Sequence, residues 1–143
     1  MRRIKPSDFP FRAKIEDMPR AEVRKRIAKA MQWPMDRIET IPYAGGIPER
    51  ISYRCAELTA LCPMTGAPDF YEIAIVFVPG RLLPELKSLR AFLLGFRDLP
   101  ITHEHLQAKI FRAFKAQVKP KRLRVELSVA MRGGIKTDIV SEA

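Results

Sequence analysis

A chain of 143 residues, 47% of them hydrophobic, can bury one core but is too short for two ordinary domains, and no run of 18 apolar residues offers a membrane span. Cys55 and Cys62 are the only cysteines, which excludes a disulfide framework and fits a reducing compartment. The formal net charge of +10 points to an anionic partner such as a phosphate or nucleic acid, against the equal alternative of a solvated surface that keeps an oligomer soluble.

The chain opens Met1-Arg2-Arg3-Ile4-Lys5, without a long apolar segment or a small-residue cleavage site, so a cytoplasmic protein with no membrane attachment is expected. Pro6, Pro10, Pro19, Pro34, Pro42 and Pro48 break the first fifty residues, leaving Ala21 to Gln32 as the one helical stretch. Val23, Ile27 and Met31 recur there at four-residue spacing, and Arg24, Lys25, Arg26 and Lys29 make the other sides basic. Residues 1–48 are expected to be a basic extension packed on a main domain of residues 49–143.

Ile51 to Leu61 and Phe70 to Val78 read as two strands of a hairpin, joined by the turn-rich Cys62-Pro63-Met64-Thr65-Gly66-Ala67-Pro68-Asp69. In the second strand Tyr71, Ile73, Ile75 and Phe77 line one face and Ala74, Val76 and Val78 the other, which predicts cover on both sides. A helix follows Pro84, with Leu86, Leu89, Leu93 and Phe96 on one stripe. A second helix opens at the N-cap Thr102 and carries Leu106, Ile110, Phe114 and Val118 before Pro120 ends it. Leu123, Val125, Leu127, Val129 and Met131 then alternate with Arg124, Glu126, Ser128 and Ala130 as a strand, and Arg132-Gly133-Gly134 turns into a short last strand. The order β-β-α-α-β-β predicts an α+β fold, an antiparallel four-stranded sheet with both helices on one face and open edges that other copies close.

Cys62 lies where a strand enters a rigid Pro- and Gly-rich loop, a place that can present a thiol in a cleft, and Asp69 closes the same loop. Taken singly, each has a plain structural reading: a small buried thiol and a turn carboxylate. Cys55, inside the strand pattern, reads as a core residue. His103 and Glu104 open a helix, where side chains commonly face a ligand. His103 and His105 do not share a helical face and no CxxC accompanies them, so no metal site is expected. Glu85, Lys87, Ser88 and Arg90 read equally as a solvated helix face, and Arg132-Gly133-Gly134 as an ordinary hairpin turn.

Together, CPMTGAPDF at Cys62 to Phe70, ELKSLRAF at Glu85 to Phe92, LGFRD at Leu94 to Asp98, HE at His103-Glu104 and RGGI at Arg132 to Ile135 resemble the NADPH-dependent 7-cyano-7-deazaguanine reductases, over roughly Ile51 to Ile135. The resemblance implies the tunnelling fold, whose β-β-α-α-β-β subunits join their sheets into a barrel, with stacked rings, a homodecamer, and substrate sites between subunits. It implies conversion of 7-cyano-7-deazaguanine to 7-aminomethyl-7-deazaguanine with two NADPH in queuosine biosynthesis, with no metal. Cys62 would attack the nitrile carbon to give a thioimide, Asp69 would donate the proton and His103 would adjoin the hydride path. Pro84, Glu85, Leu86, His103 and Glu104 would contact the base, and Lys87, Ser88, Arg90, Arg132 and Gly133 the cofactor. Arg90 stands where the family usually has Lys, Ala91 where it has a larger Leu or Tyr, and His105-Leu106 where some relatives carry a second Cys, so no protective disulfide is expected.

Two other readings remain. An archaeal branch uses the same Cys and Asp to add ammonia to the cyano base already in tRNA, forming archaeosine without NADPH, and the net charge suits tRNA. A non-catalytic, RNA-binding ring protein would use the basic helix instead.

Overall fold

In a computed structural model of the chain, residues 18–32 and 37–143 are described; residues 1–17 of the expected extension, with Pro6 and Pro10, and the break at Pro34 lie outside them. Four strands, β2 (Ile51–Leu61), β3 (Pro68–Val78), β5 (Arg122–Arg132) and β6 (Ile135–Glu142), form an antiparallel sheet in the order β2-β3-β5-β6. Two helices, α2 (Leu86–Leu94) and α3 (His103–Val118), lie between the neighbours β3 and β5 in sequence. This is the expected α+β arrangement.

Alternation decides which side chains meet the helices. Tyr71, Ile73, Ile75 and Phe77 of β3 and Leu123, Val125, Leu127 and Val129 of β5 are buried on one face, against Leu89, Phe92 and Leu93 of α2 and Leu106, Ile110, Phe114 and Val118 of α3. Phe77 and Phe114 meet edge to face at 5.2 Å between ring centres. The opposite face is less covered than its residues predict: Ala74 is buried and Val76 and Val78 are half-buried, but Phe70 and Glu72 are exposed.

Both helices are capped, the second by the expected Thr102 and the first by Glu85, which the sequence pattern does not predict as a cap. Thr102 Oγ1 accepts from the His105 N–H at the start of α3, and Glu85 accepts from the N–H groups of Lys87 and Ser88 at the start of α2.

One expected element and one pair of strands beyond the predicted pattern complete the fold. A basic helix, α1 (Arg20–Met31), covers the expected stretch, with only Ala30 of it fully buried. Two three-residue strands, β1 (Thr40–Pro42) and β4 (Leu82–Pro84), pair antiparallel and tie the segment before β2 to the entry of α2. Each ends in proline, which removes a ladder donor and masks so short a strand in a sequence pattern.

Candidate functional site

The position of Cys62 depends on a bulge. Pairing between β2 and β3 shifts between Cys55 and Leu58, so the core-facing set changes from Tyr53 and Cys55 to Leu58 and Ala60. Continued by two residues, that parity turns Cys62 to the helix-facing side, where Asp69 pairs opposite Ala60; without the extra residue it would face away. The loop then closes on itself. The Cys62 N–H donates to the Ala67 carbonyl at 2.8 Å, the Gly66 N–H donates to the Cys62 carbonyl at 2.8 Å, and Gly66 supplies the left-handed turn with φ of 72°.

Asp69 and Tyr71 stand two apart on β3 and so share its helix-facing side. The connection into α3 is fastened to the end of β2: Leu61 donates to the Leu99 carbonyl and Ile101 donates back to the Leu61 carbonyl, each at 3.0 Å. His103, the first residue of α3, is therefore delivered beside the end of β2. A register shift between Val129 and Arg132 frees the last residue of β5 from strict alternation, and the turn at Gly133 and Gly134, with φ of 55° and 77°, carries the chain into β6.

These placements join Asp69, Arg132, Tyr71 and His103 in one cluster that reaches the thiol through Arg132. The Asp69 side chain is 1% exposed and forms an ion pair with Arg132. His103 Nδ1 lies 4.0 Å from the other Asp69 oxygen and 2.9 Å from the Tyr71 hydroxyl. Burial, with the charge of Asp69 behind it, pushes the Tyr71 phenol above its ordinary range, so it keeps its proton and shares it or accepts one in the hydrogen bond with His103 Nδ1. Burial acts to raise the Cys62 thiol, but hydrogen bonds from the Thr65 hydroxyl, the backbone N–H groups of Thr65 and Met64, and Arg132 outweigh it and lower the thiol below its ordinary value. Arg132 is held above its own ordinary value by Asp69 and Cys62 against the opposing effect of burial. Chemically, this is a polarised thiol and a dry carboxyl that share one guanidinium.

Known proteins share much of this chain. Residues 68–143, from the start of β3 onward, fit the family model described as QueF-like protein. NADPH-dependent 7-cyano-7-deazaguanine reductase of Syntrophus aciditrophicus is 34% identical over 130 residues, 89% of this chain and 89% of that protein. The enzymes of the same name from Nitrosococcus oceani and Rhodopirellula baltica are 37% identical over 112 residues and 39% identical over 90, covering 76% and 63% of this chain and 85% and 74% of theirs.

The chain belongs to the QueF-like family.

A solved fold agrees with this. The crystal structure of the archaeosine synthase QueF-Like in the apo form superposes with a TM-score of 0.60 at 20% identity, over 70% of this chain and 96% of that one, which establishes the tunnelling fold.

Within this QueF-like chain, the expected site residues fall into two groups. Cys62, Asp69, His103 and Arg132 stand together, and Glu104 is exposed one residue along α3 from His103. Pro84, Glu85, Leu86, Lys87, Ser88 and Arg90 stand at the start of α2, and the hollows there do not include Cys62. Glu85, Lys87 and Ser88 line a hollow of about 350 Å³ with Arg37 and Glu39. Leu86 and Arg90 line another of about 560 Å³ along the β2 edge with Tyr53, Cys55 and Glu57. Gly133 serves the turn after β5 through its positive φ.

Arg132, expected at the cofactor's phosphates, is engaged with Asp69 and Cys62 in this chain. Glu85, expected at the base, is the N-cap of α2, and Ser88 Oγ accepts from the Glu39 N–H at 2.6 Å. Sequence reasoning missed Tyr71 and Thr65. The two-residue spacing from Asp69 to Tyr71 was a usable signal, since it sets both on one face; the Thr65 hydroxyl reaches Cys62 only through the folded loop. Among the described residues no group of three or more His, Cys, Asp or Glu could hold a metal ion, and no helix is long and apolar enough to cross a membrane.

Proposed function

We propose that this protein is an NADPH-dependent nitrile reductase that converts 7-cyano-7-deazaguanine to 7-aminomethyl-7-deazaguanine, the activity its relatives are named for. The feature that carries the reading is the Arg132 guanidinium, which pairs with the buried Asp69 carboxylate and also bears on the Cys62 thiol. The Cys62 thiolate attacks the electrophilic nitrile carbon, one C–N π bond breaks, and its electron pair goes to nitrogen. Asp69, an ion-paired carboxylate at rest, takes the thiol proton as the Cys62 thiolate forms and passes it to that nitrogen, so that a thioimide results and the carboxylate returns to Arg132. Taking a nitrile to an amine needs four electrons, and two NADPH supply them as two hydrides.

The chain's own residues divide the remaining work. His103 lies beside the reacting carbon, and Glu104 accepts hydrogen bonds from the N–H donors of the guanine-like edge, with Pro84, Glu85 and Leu86 against the base. For the cofactor's phosphates, the exposed cations Lys87 and Arg90, with Ser88 between them, fit the anion. Arg132 fits less well because Asp69 already holds it, and Gly133 is the backbone beside it.

Residues 49–143 act as the catalytic domain and residues 1–48 as its extension, in a protein that works in the cytoplasm. The chain self-associates through its sheet edges into stacked rings, ten copies in all, so that the α2 group of one copy completes the Cys62 group of another. Supporting this are the open edges of β2 and β6 among the described residues and the separation of the two groups within one chain.

The test is to mix protein, 7-cyano-7-deazaguanine and NADPH and follow nicotinamide absorbance, with Cys62→Ala as control. Two NADPH consumed per nitrile, and none by the mutant, supports the reductase. Thioimide absorbance without NADPH consumption overturns it in favour of ammonia addition on tRNA, and RNA binding unaffected by Cys62→Ala with no thioimide at all favours the ring scaffold.

A further inference from the structure

We propose that Arg26 of α1 is a positioning residue for Cys62, acting through the peptide that joins Pro63 to Met64. The basic helix lies against the nucleophile loop: Met18, Pro19, Glu22 and Arg26 on one side face Met64, Thr65 and Gly66 on the other across a cleft of about 460 Å³. Across it, Arg26 Nη1 donates to the Pro63 carbonyl at 2.7 Å, a bond between residues 37 apart in sequence. Two further bonds fix the arm that reaches over. Glu22 accepts from Arg26 Nε at 3.1 Å one turn earlier on α1, and Lys109 Nζ, from the buried side of α3, donates to the Met31 carbonyl at the end of α1 at 3.0 Å.

The Pro63 carbonyl and the Met64 N–H are the two ends of one planar peptide. That N–H is among the groups that lower the Cys62 thiol, in the loop whose backbone is closed by the Cys62–Ala67 and Gly66–Cys62 bonds. Because the peptide is rigid and trans, a guanidinium held on its oxygen fixes the direction of its N–H, and the positive charge draws electron density along the amide and makes that N–H a stronger donor. The loop's own closing bonds use the carbonyls of Cys62 and Ala67, which leaves the Pro63 carbonyl to Arg26. Arg26 thus touches neither thiol nor substrate and acts on the thiolate at one remove. This assigns a task to part of the N-terminal extension, and it deepens the proposed function by resting on Cys62 as the nucleophile.

The experiment measures the rate of Cys62 alkylation by iodoacetamide against pH in the full chain, with mass spectrometry of the Cys62 peptide to separate it from Cys55. In Arg26→Met the midpoint is expected to move up, with alkylation at neutral pH slowed about three- to tenfold, the size of one hydrogen bond's net contribution. Arg26→Lys should recover part of the rate. Arg24→Met, which removes the same charge from an exposed position of the same helix, should leave it near wild type. Glu22→Gln, which loosens Arg26 without changing the loop, should shift the midpoint in the same direction by less, and it carries the comparison if Arg26→Met does not fold. Arg26 and Arg24 variants with equal profiles, or a Glu22→Gln profile identical to wild type when Arg26→Met is unfolded, overturn the proposal. A wild-type protein that consumes no NADPH with the nitrile, while Arg26→Met still shows the shifted midpoint, overturns the reductase reading and leaves this one standing.

Discussion

The Cys62 thiol is partly buried, which alone would raise its pKa, and hydrogen bonds from Thr65, Met64 and Arg132 bring it below its ordinary value instead. Its reactivity should therefore extend to lower pH than that of an ordinary thiol. Alkylation of Cys62 is expected to reach its plateau below the pH at which a free cysteine does, and a profile matching free cysteine would remove the case for a poised nucleophile. The linkage has a definite sign: a thiol lowered on folding stabilises the fold fully above the unfolded thiol's pKa, and that contribution is lost as pH falls through the lowered value. Arg132 holds the other end of this arrangement. Replacing it with Met strands a carboxylate that is 1% exposed, and because Arg132 itself is 41% exposed the cost should fall to about 1–2 kcal/mol, short of that for a fully buried pair. Urea unfolding of Arg132→Met measures this, and the same variant should show slower Cys62 alkylation at neutral pH.

At the scale of elements, the site is assembled from the ends of regular structure: the end of β2, the start of β3, the first turn of α3 and the end of β5. The start of α3 is set by Thr102, whose side chain caps the His105 N–H and also hydrogen-bonds the His105 ring. Thr102→Ala is expected to cost about 1 kcal/mol in unfolding experiments. Because His103 is the next residue, the reductase rate should fall more than the loss of stability explains, whereas unchanged turnover would separate the cap from the site. The strand and helix periods were legible in the sequence, since Tyr71 to Phe77 and Leu106 to Val118 each repeat a pattern that only one kind of element satisfies. The bulge between Cys55 and Leu58 was not legible. No glycine or proline marks it, and the need for it appears only when β2 is laid against β3 and Leu58 and Ala60 must face the core.

For the whole molecule, the question is what covers the exposed sheet face and edges. Phe70 and Val140 are exposed on the side away from the helices, and among the described residues β2 and β6 end the sheet unpaired. Light scattering is expected to give about ten times the 16.4 kDa chain mass, and a monomer at working concentration would remove the shared site proposed above. The sequence by itself determined the β-β-α-α-β-β order, the helix-facing residues, and the choice of Cys62 and Asp69 as candidate nucleophile and acid, because periodicity, caps and a motif are local properties of a chain. Only the tertiary structure decided that Arg132 turns to Asp69 and Cys62, that Tyr71 meets His103, and that Arg26 reaches the carbonyl of Pro63. Those contacts join residues 32 or more positions apart, and their geometry follows from strand register and helix placement, which no local pattern encodes.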